Sequence, residues 1–343
     1  MKRTLCAALC ALLLLTGCSA GTTVEQKKYQ ATFLTLFDTV TTMVGFAATE
    51  EEFSATAQSI HDELLIYHQL FDIYNDYEGI HNLKTVNDAA GAAPVTVDRK
   101  IIDLLLDCKA FYKATNGRVN VAMGSVLQLW HEARNDGIND PVNAYLPDET
   151  ALRMAAEHTS IDAVVIDEAA STVFITDPLV RLDVGAVAKG WAVQQVAKNA
   201  PEGILLSVGG NICATGAKDE KGTPWIVGVQ NPDNAEEYLH SIYVYADRGS
   251  VVTSGDYQRA YAVDGKVYHH IIDPDTLYPA TYWRSVTIVC ADSGAADALS
   301  TALFLLPLEE GRTLLAQYDA EAMWVDADGE IFKSDGFEKL IRT

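Results

Sequence analysis

Between Ile204 and Cys290 the chain reads as a succession of short, β-branched strands punctuated by turn residues. Ile204–Val208 ends in Gly209-Gly210-Asn211, Trp225–Val229 in Asn231-Pro232, Ser250–Ser254 in Gly255 and Val267–Asp273 in Pro274; Ser241–Ala246 and Arg284–Cys290 are further strands. Each run suits a strand and each break suits a turn. Helical patterns are interleaved with strands over the rest of the chain, without a strict strand–helix–strand rhythm. This predicts an α+β fold, an antiparallel sheet with packed helices, and argues against a doubly wound one.

Ala31 to Phe46 alternates β-branched and aromatic residues with polar ones and predicts one or two strands. Glu50 to about Phe71 has Phe53, Ala57, Ile60, Leu64 and Phe71 near helical spacing. Asp72 to Gly91, rich in Tyr, Asn and Asp, reads as an irregular segment long enough to be functional. Asp98 to Thr115 is a helix with Asp98 as N-cap. A short helical piece carries Leu127 and Trp130, and residues 133–148 read as an exposed polar excursion. Asp148–His158 and 187–198 are helices, and Val164–Ile166 with Val173–Ile175 form a strand pair. Gly294–Leu306 is a helix, Pro307 opens the next, and Ala322–Val325 with Ile331–Phe332 closes the chain.

The N-terminus has a different character. Lys2 and Arg3 precede an apolar run from Leu5 to Leu15, which is short for a membrane span. Leu15-Thr16-Gly17-Cys18 has the lipobox pattern, so residues 1–17 are expected to be a lipoprotein signal peptide. Residues 18–30 would then be the lipidated Cys18 and a polar tether, and residues 31–343 the catalytic unit. Acyl chains on Cys18, at about 0.8 kcal/mol per buried CH₂, would hold the protein on the outer side of a bacterial membrane. The formal charge of −22 repels phosphate backbones and argues against nucleic acid as a partner. Beyond the leader and Cys18, Cys108, Cys213 and Cys290 sit in apolar contexts without zinc or redox spacing and read as buried free thiols.

Four stretches can carry chemistry. Asp183-Val184-Gly185-Ala186-Val187-Ala188-Lys189-Gly190 joins a strand to a helix, where free N–H groups, small residues and Lys189 suit an anion. An ordinary loop has the same look. In His269-His270-Ile271-Ile272-Asp273-Pro274, adjacent strand residues face opposite ways, so only one histidine can serve a site as a base. In Ala296-Asp297-Ala298-Leu299-Ser300-Thr301, Asp297, Ser300 and Thr301 share a helix face, and a carboxylate and hydroxyl four apart suit Mg²⁺. Thr253-Ser254-Gly255-Asp256-Tyr257 with Arg259 suits a phosphate contact or a plain strand-end turn.

Taken in order, D-x-G-x-x-A-K-G-x-A at Asp183–Ala192, Gly209-Gly210, T-S-G-x-Y-x-R at Thr253–Arg259, H-I-I-D-P at His270–Pro274 and D-A-x-x-T at Asp297–Thr301 resemble the ApbE family, the FAD:protein FMN transferases. The resemblance covers the chain after the tether and implies a single T-fold-related catalytic unit. It implies FAD as substrate, Mg²⁺ as cofactor, and transfer of FMN to a Thr or Ser hydroxyl of an acceptor flavoprotein with release of AMP. By position it implies Mg²⁺ ligands at the Ala186 carbonyl, Asp297 and Thr301, and His270 as the base. Flavin-nucleotide contacts would fall at Phe37, Tyr74, Arg118, Val119, Asn120, Asp183, Lys189 and Ile272.

The chain departs from the family pattern at Val119-Asn120, which replaces Phe-Asp, at Leu277, which replaces Gly, and at Ser300, where some members carry a further acidic ligand. Phe37 stands where Met is common. Two other readings share the motifs: an FAD pyrophosphatase giving FMN and AMP, and a flavin-binding lipoprotein without catalysis. His270 argues against the last, since a pure binder needs no base.

Overall fold

The structure, a computed structural model, describes residues 26–343. The signal peptide, Cys18 and the start of the tether lie outside the described residues. The first strand begins inside the expected tether: β1 (Lys27–Leu36) pairs with β2 (Thr39–Ala47), and the two-residue turn puts Phe37 and Asp38 at φ 53° and 51°. Two positive φ values are what the right-handed twist of a tight hairpin demands.

Helix α1 (Glu50–Phe71) is capped by Thr49, whose hydroxyl accepts the Glu52 N–H, and three glutamates occupy its first turn. The following segment is less irregular than its composition suggests. Helix α2 (Leu83–Asp88) forms there because Asn82 and Thr85 close a capping box. Then come β3 (Val95–Thr96) and α3 (Arg99–Ala114), capped by Asp98 as expected. Helix α4 (Gly124–Asn139) runs well past Trp130, so the expected excursion from 133 is helical in its first half. Its polar sequence hides a buried stripe, Ala133 and Gly137, and Gly137 lies under the Tyr261 ring.

The chain continues through α5 (Glu149–Ala156), β4 (Val164–Asp167), β5 (Thr172–Ile175), α6 (Ala188–Asn199), β6 (Ile204–Val208) and β7 (Asn211–Ala214). Gly209 and Gly210, at φ 57° and 90°, form the two-residue turn between β6 and β7. Next are β8 (Trp225–Asn231), β9 (Asn234–Val244), β10 (Ser250–Gly255), β11 (Tyr261–Val263) and β12 (Lys266–Tyr268). The strand expected to reach Asp273 stops at Tyr268, because the His269 ring accepts the Ile271 N–H and takes the place of a strand partner. The chain closes with β13 (Ser285–Cys290), α7 (Ser293–Phe304), α8 (Leu308–Leu315), β14 (Ala320–Val325) and β15 (Ile331–Lys333).

The principal sheet has the order β1-β2-β6-β7-β10-β13-β14-β15, antiparallel at every pairing. The architecture is α+β, as expected. Alternation along the strands sorts residues to two faces. Val252 and Ile288 join the large core under α1, α6 and α7, while Val251 and Val289 pack under the β8–β9 ribbon. A third apolar cluster, with Val126, Trp130, Leu152 and Tyr261, ties α4 and α5 to the β11–β12 hairpin. Between that lobe and the sheet lies a cleft. The three cysteines are buried and free.

Candidate active site

The cleft, about 1050 Å³, is lined by every residue the sequence singles out for catalysis, nucleotide or metal: Phe37, Tyr74, Arg118, Val119, Asn120, Asp183, Ala186, Lys189, His270, Ile272, Asp297 and Thr301. That volume suits a dinucleotide-sized ligand.

One corner is made where α6 crosses α7. A methyl group on Gly190 would lie 2.3 Å from the Ser293 carbonyl oxygen and 2.5 Å from the Asp297 Cβ, so only glycine permits this approach. The contact brings the Gly190 N–H to Asp297 Oδ2 at 2.8 Å and Lys189 Nζ to the same oxygen at 4.0 Å. Lys189 also donates to the Gly185 carbonyl at 3.3 Å. Burial raises the Asp297 carboxyl above the usual range against the pull of Lys189 and Gly190. Asn211 faces the same carboxylate, yet its Nδ2 is buried without a hydrogen-bond partner that meets good geometry. A buried carboxylate whose charged form is disfavoured by burial is an environment that a cation would complete. The donors are all oxygen: Asp297, Thr301 and the Ala186 carbonyl. Among the described residues no three His, Cys, Asp or Glu side chains gather as a cage, so a metal here would take few protein ligands, in the manner of Mg²⁺.

Ser300 turns inward instead. It is fully buried, with its hydroxyl 2.8 Å from Ser254 Oγ and bonded to the Asp297 carbonyl at 2.9 Å. It fastens α7 to the end of β10, and of the Thr-Ser pair on that strand Thr253 is held by Thr287 at 2.9 Å.

The two histidines part company. His269 is buried, bonded at 2.8 Å to the Ala280 carbonyl and edge-on to Phe304. His270 opens to the cleft, and its Nδ1 lies 3.1 Å from the Gln258 carbonyl. Donation from Nδ1 leaves the lone pair on Nε2. Burial, then the charges of Arg259 and Lys189, push its pKa down to about 3. Below it, Arg118 bonds Asp273 at 3.3 Å and Asp275 at 2.7 Å, fixing the loop that carries Ile272. Leu277 closes that loop at φ 64°, a left-handed conformation that costs a leucine about 1 kcal/mol. Its N–H donates to the Asp273 carbonyl and its carbonyl accepts the Trp130 Nε1–H.

The opposite wall is organised by Asp72. Burial alone would raise its pKa, but bonds from Asn75, the Tyr74 N–H and the Tyr77 hydroxyl outweigh that and lower it. This turn presents the Tyr74 ring to the cleft. Its hydroxyl meets His131 Nδ1 at 2.8 Å, and His131 Nε2 lies 3.8 Å from Asp183 Oδ2. Val119 is buried, and the Asn120 side chain is bonded to the Thr159 carbonyl and the Ala122 N–H, so both shape the wall more than they reach across it.

The ApbE family model matches residues 21–324. This chain belongs to the ApbE family. It is similar to an FAD:protein FMN transferase of Klebsiella pneumoniae, 32% identical over 287 residues, covering 80% of this chain and 86% of that one. A second, of Treponema pallidum, is 34% identical over 278 residues, covering 76% and 75%. Among solved structures, the ApbE protein of Thermotoga maritima superposes with a TM-score of 0.80 at 28% identity, over 92% of this chain and all of that one. The flavin transferase ApbE of Vibrio cholerae matches in fold at 0.73 and 21% identity, again over 92% and 100%.

Two residues of this ApbE-family cleft escaped sequence reasoning. Both sit on α4, His131 directly after Trp130 and Arg134 in the stretch read as an exposed excursion. Helical spacing from Leu127 to Trp130 and on to Ala133 and Gly137 was the signal that could have found them.

Proposed function

We propose that this chain transfers the FMN half of FAD to a Thr or Ser hydroxyl of an acceptor flavoprotein and releases AMP. The observation that carries this reading is one cleft with a neutral, fixed imidazole and an acid–lysine corner that both face the same space. Ala186, Asp297 and Thr301 would hold Mg²⁺, which when bound neutralises charge developing on the pyrophosphate oxygens. Lys189, beside that site, adds a full positive charge for the same oxygens. The Tyr74 ring supplies a surface for a flat aromatic system. His270 Nε2 accepts the proton of the acceptor hydroxyl as its oxygen bonds to the flavin-side phosphorus. The bond to the adenylate oxygen breaks, and AMP departs with the electron pair.

The lipobox supports an anchor at Cys18 and, with it, a reaction on the extracytoplasmic face of a bacterial membrane. No helix among the described residues is long and apolar enough to cross a membrane. Replacing Cys18 by Ser should move the protein from the membrane to the soluble fraction.

The deciding experiment incubates the protein with FAD, Mg²⁺ and a candidate acceptor subunit, then follows AMP and protein-bound flavin fluorescence. AMP together with flavin on the acceptor is expected. AMP with free FMN alone would instead make the chain an FAD pyrophosphatase, and FAD retained without AMP would make it a binder.

A further inference from the structure

Arg134 and Arg259 both line the cleft, and the charge of Arg259 reaches Arg134. Arg134 is half-buried; burial and then the neighbouring Arg259 charge both work against its own charge. Elsewhere in the molecule Arg99, Arg118, Arg153, Arg248 and Arg284 each hold a carboxylate. Among the described residues Arg134, Arg181, Arg259, Arg312 and Arg342 hold none, and of these only Arg134 and Arg259 line the cleft. The carboxylate whose charge reaches Arg134 is Asp183, whose oxygens already take the Gly185 N–H at 2.9 Å and face His131. Arg259 is also presented on a backbone at φ 45°, a conformation that costs a non-glycine residue about 1 kcal/mol or more. A protein with formal charge −22 has carboxylates to spare, yet none is placed here.

We propose that Arg134 and Arg259 form a phosphate subsite for the dinucleotide that acts on the pyrophosphate independently of metal. This rests on the reading of the chain as acting on FAD. Two guanidiniums offer forked donors to a group with several acceptor oxygens, and phosphate is that group. Bound there, it would relieve the repulsion within the pair. It would also offset the charge of Arg259, which after burial is the next contribution against protonation of His270.

The test is calorimetric titration of the full-length protein in EDTA, with FAD, riboflavin and AMP, for the wild type, Arg134→Gln and Arg259→Gln. Each variant should lose about tenfold or more in affinity for FAD and AMP, as expected for charge-assisted bonds to phosphate, and keep riboflavin within about twofold. The ligand-free Arg134→Gln protein should melt no lower than the wild type, since a poorly placed charge is gone. Wild-type affinity for FAD and AMP in both variants would overturn the subsite and leave the proposed function standing. An equal loss of riboflavin, or a clearly lower melting temperature of ligand-free Arg134→Gln, would overturn it by pointing to shape. FAD binding by the wild type that appears only when Mg²⁺ replaces EDTA would overturn the metal independence, and no binding in Mg²⁺ either would instead remove the proposed function itself. A loss seen only in the KM for the acceptor would assign the pair to the acceptor and overturn the proposal.

Discussion

At the scale of single residues, His270 and Asp297 carry opposite pH signatures. His270 is held neutral, with its pKa moved from the ordinary imidazole value down to about 3. The unfolded chain therefore takes up a proton on this residue that the folded chain refuses. Its contribution to stability is complete above about pH 6.5 and drains away as the pH falls toward 3. Wild-type denaturation midpoints should fall more steeply over that range than those of His270→Gln; parallel curves would refute the assignment. The same variant should bind FAD within about threefold of wild type and lose roughly 100-fold or more in transfer rate, the usual worth of a positioned base. Asp297 is raised, so the folded chain holds its proton more tightly and stability declines as the pH rises through and above the ordinary carboxyl range. At neutral pH, Asp297→Asn should melt at or above the wild-type temperature while its activity no longer titrates with Mg²⁺. A lower melting point with unchanged metal response would count against both the burial cost and the ligand role.

At the scale of elements, the crossing of α6 on α7 decides whether the corner exists. Gly190→Ala must push a methyl into the Ser293 carbonyl and the Asp297 Cβ, and overpacking of this kind costs about 1–3 kcal/mol. Gly185→Ala meets only Asp183 Oδ1 at 3.1 Å and should cost far less, although Gly185 looks the more ligand-like of the two in sequence. Urea midpoints of the two variants compare them directly; equal losses would mean that the crossing tolerates a methyl group. This contrast shows what the sequence could and could not convey. Periodicity placed α1, α3, α6 and α7 to within a residue or two, because each carries a regular apolar stripe and a cap or breaker at its ends. It shortened α4, whose buried face is made of Ala133 and Gly137, residues too small to register as apolar. It lengthened β12, because Ile271 and Ile272 look like strand residues while the His269 ring takes the ladder's place. The motif residues of the site were legible because they lie in short runs with unusual chemistry. Arg134 is hidden where α4 is read too short, and the contact of Ser300 with Ser254 is hidden because helical phase alone does not say which face meets β10.

At the scale of the molecule, the cleft draws on distant parts of the chain. The β1–β2 turn supplies Phe37, the segment after α1 supplies Tyr74, α4 supplies Arg134, the loop before α6 supplies Asp183, and α7 supplies Asp297. The Arg118 pairs with Asp273 and Asp275, the Trp130 bond to Leu277 and the Met123–Arg181 bridge tie together segments that wall the cleft. Lys189, Arg134 and Arg259 all act against protonation of His270, and Arg259 against the charge of Arg134, so the cleft without ligand gathers positive charge. A dinucleotide lying along the cleft would touch both sides and exchange that repulsion for attraction. Ligand at about 100 times its Kd stabilises by roughly 2.7 kcal/mol, which for a chain of this size shifts the melting temperature by roughly 5 °C. The shift should appear in one calorimetric transition, because lobe and sheet are loaded together. It should shrink as salt is raised, since part of it comes from phosphate against exposed and half-buried cations. A ligand that moved only one of two resolved transitions would show that the lobe and the sheet bind it separately. A shift insensitive to salt would show that the flavin ring alone accounts for the affinity.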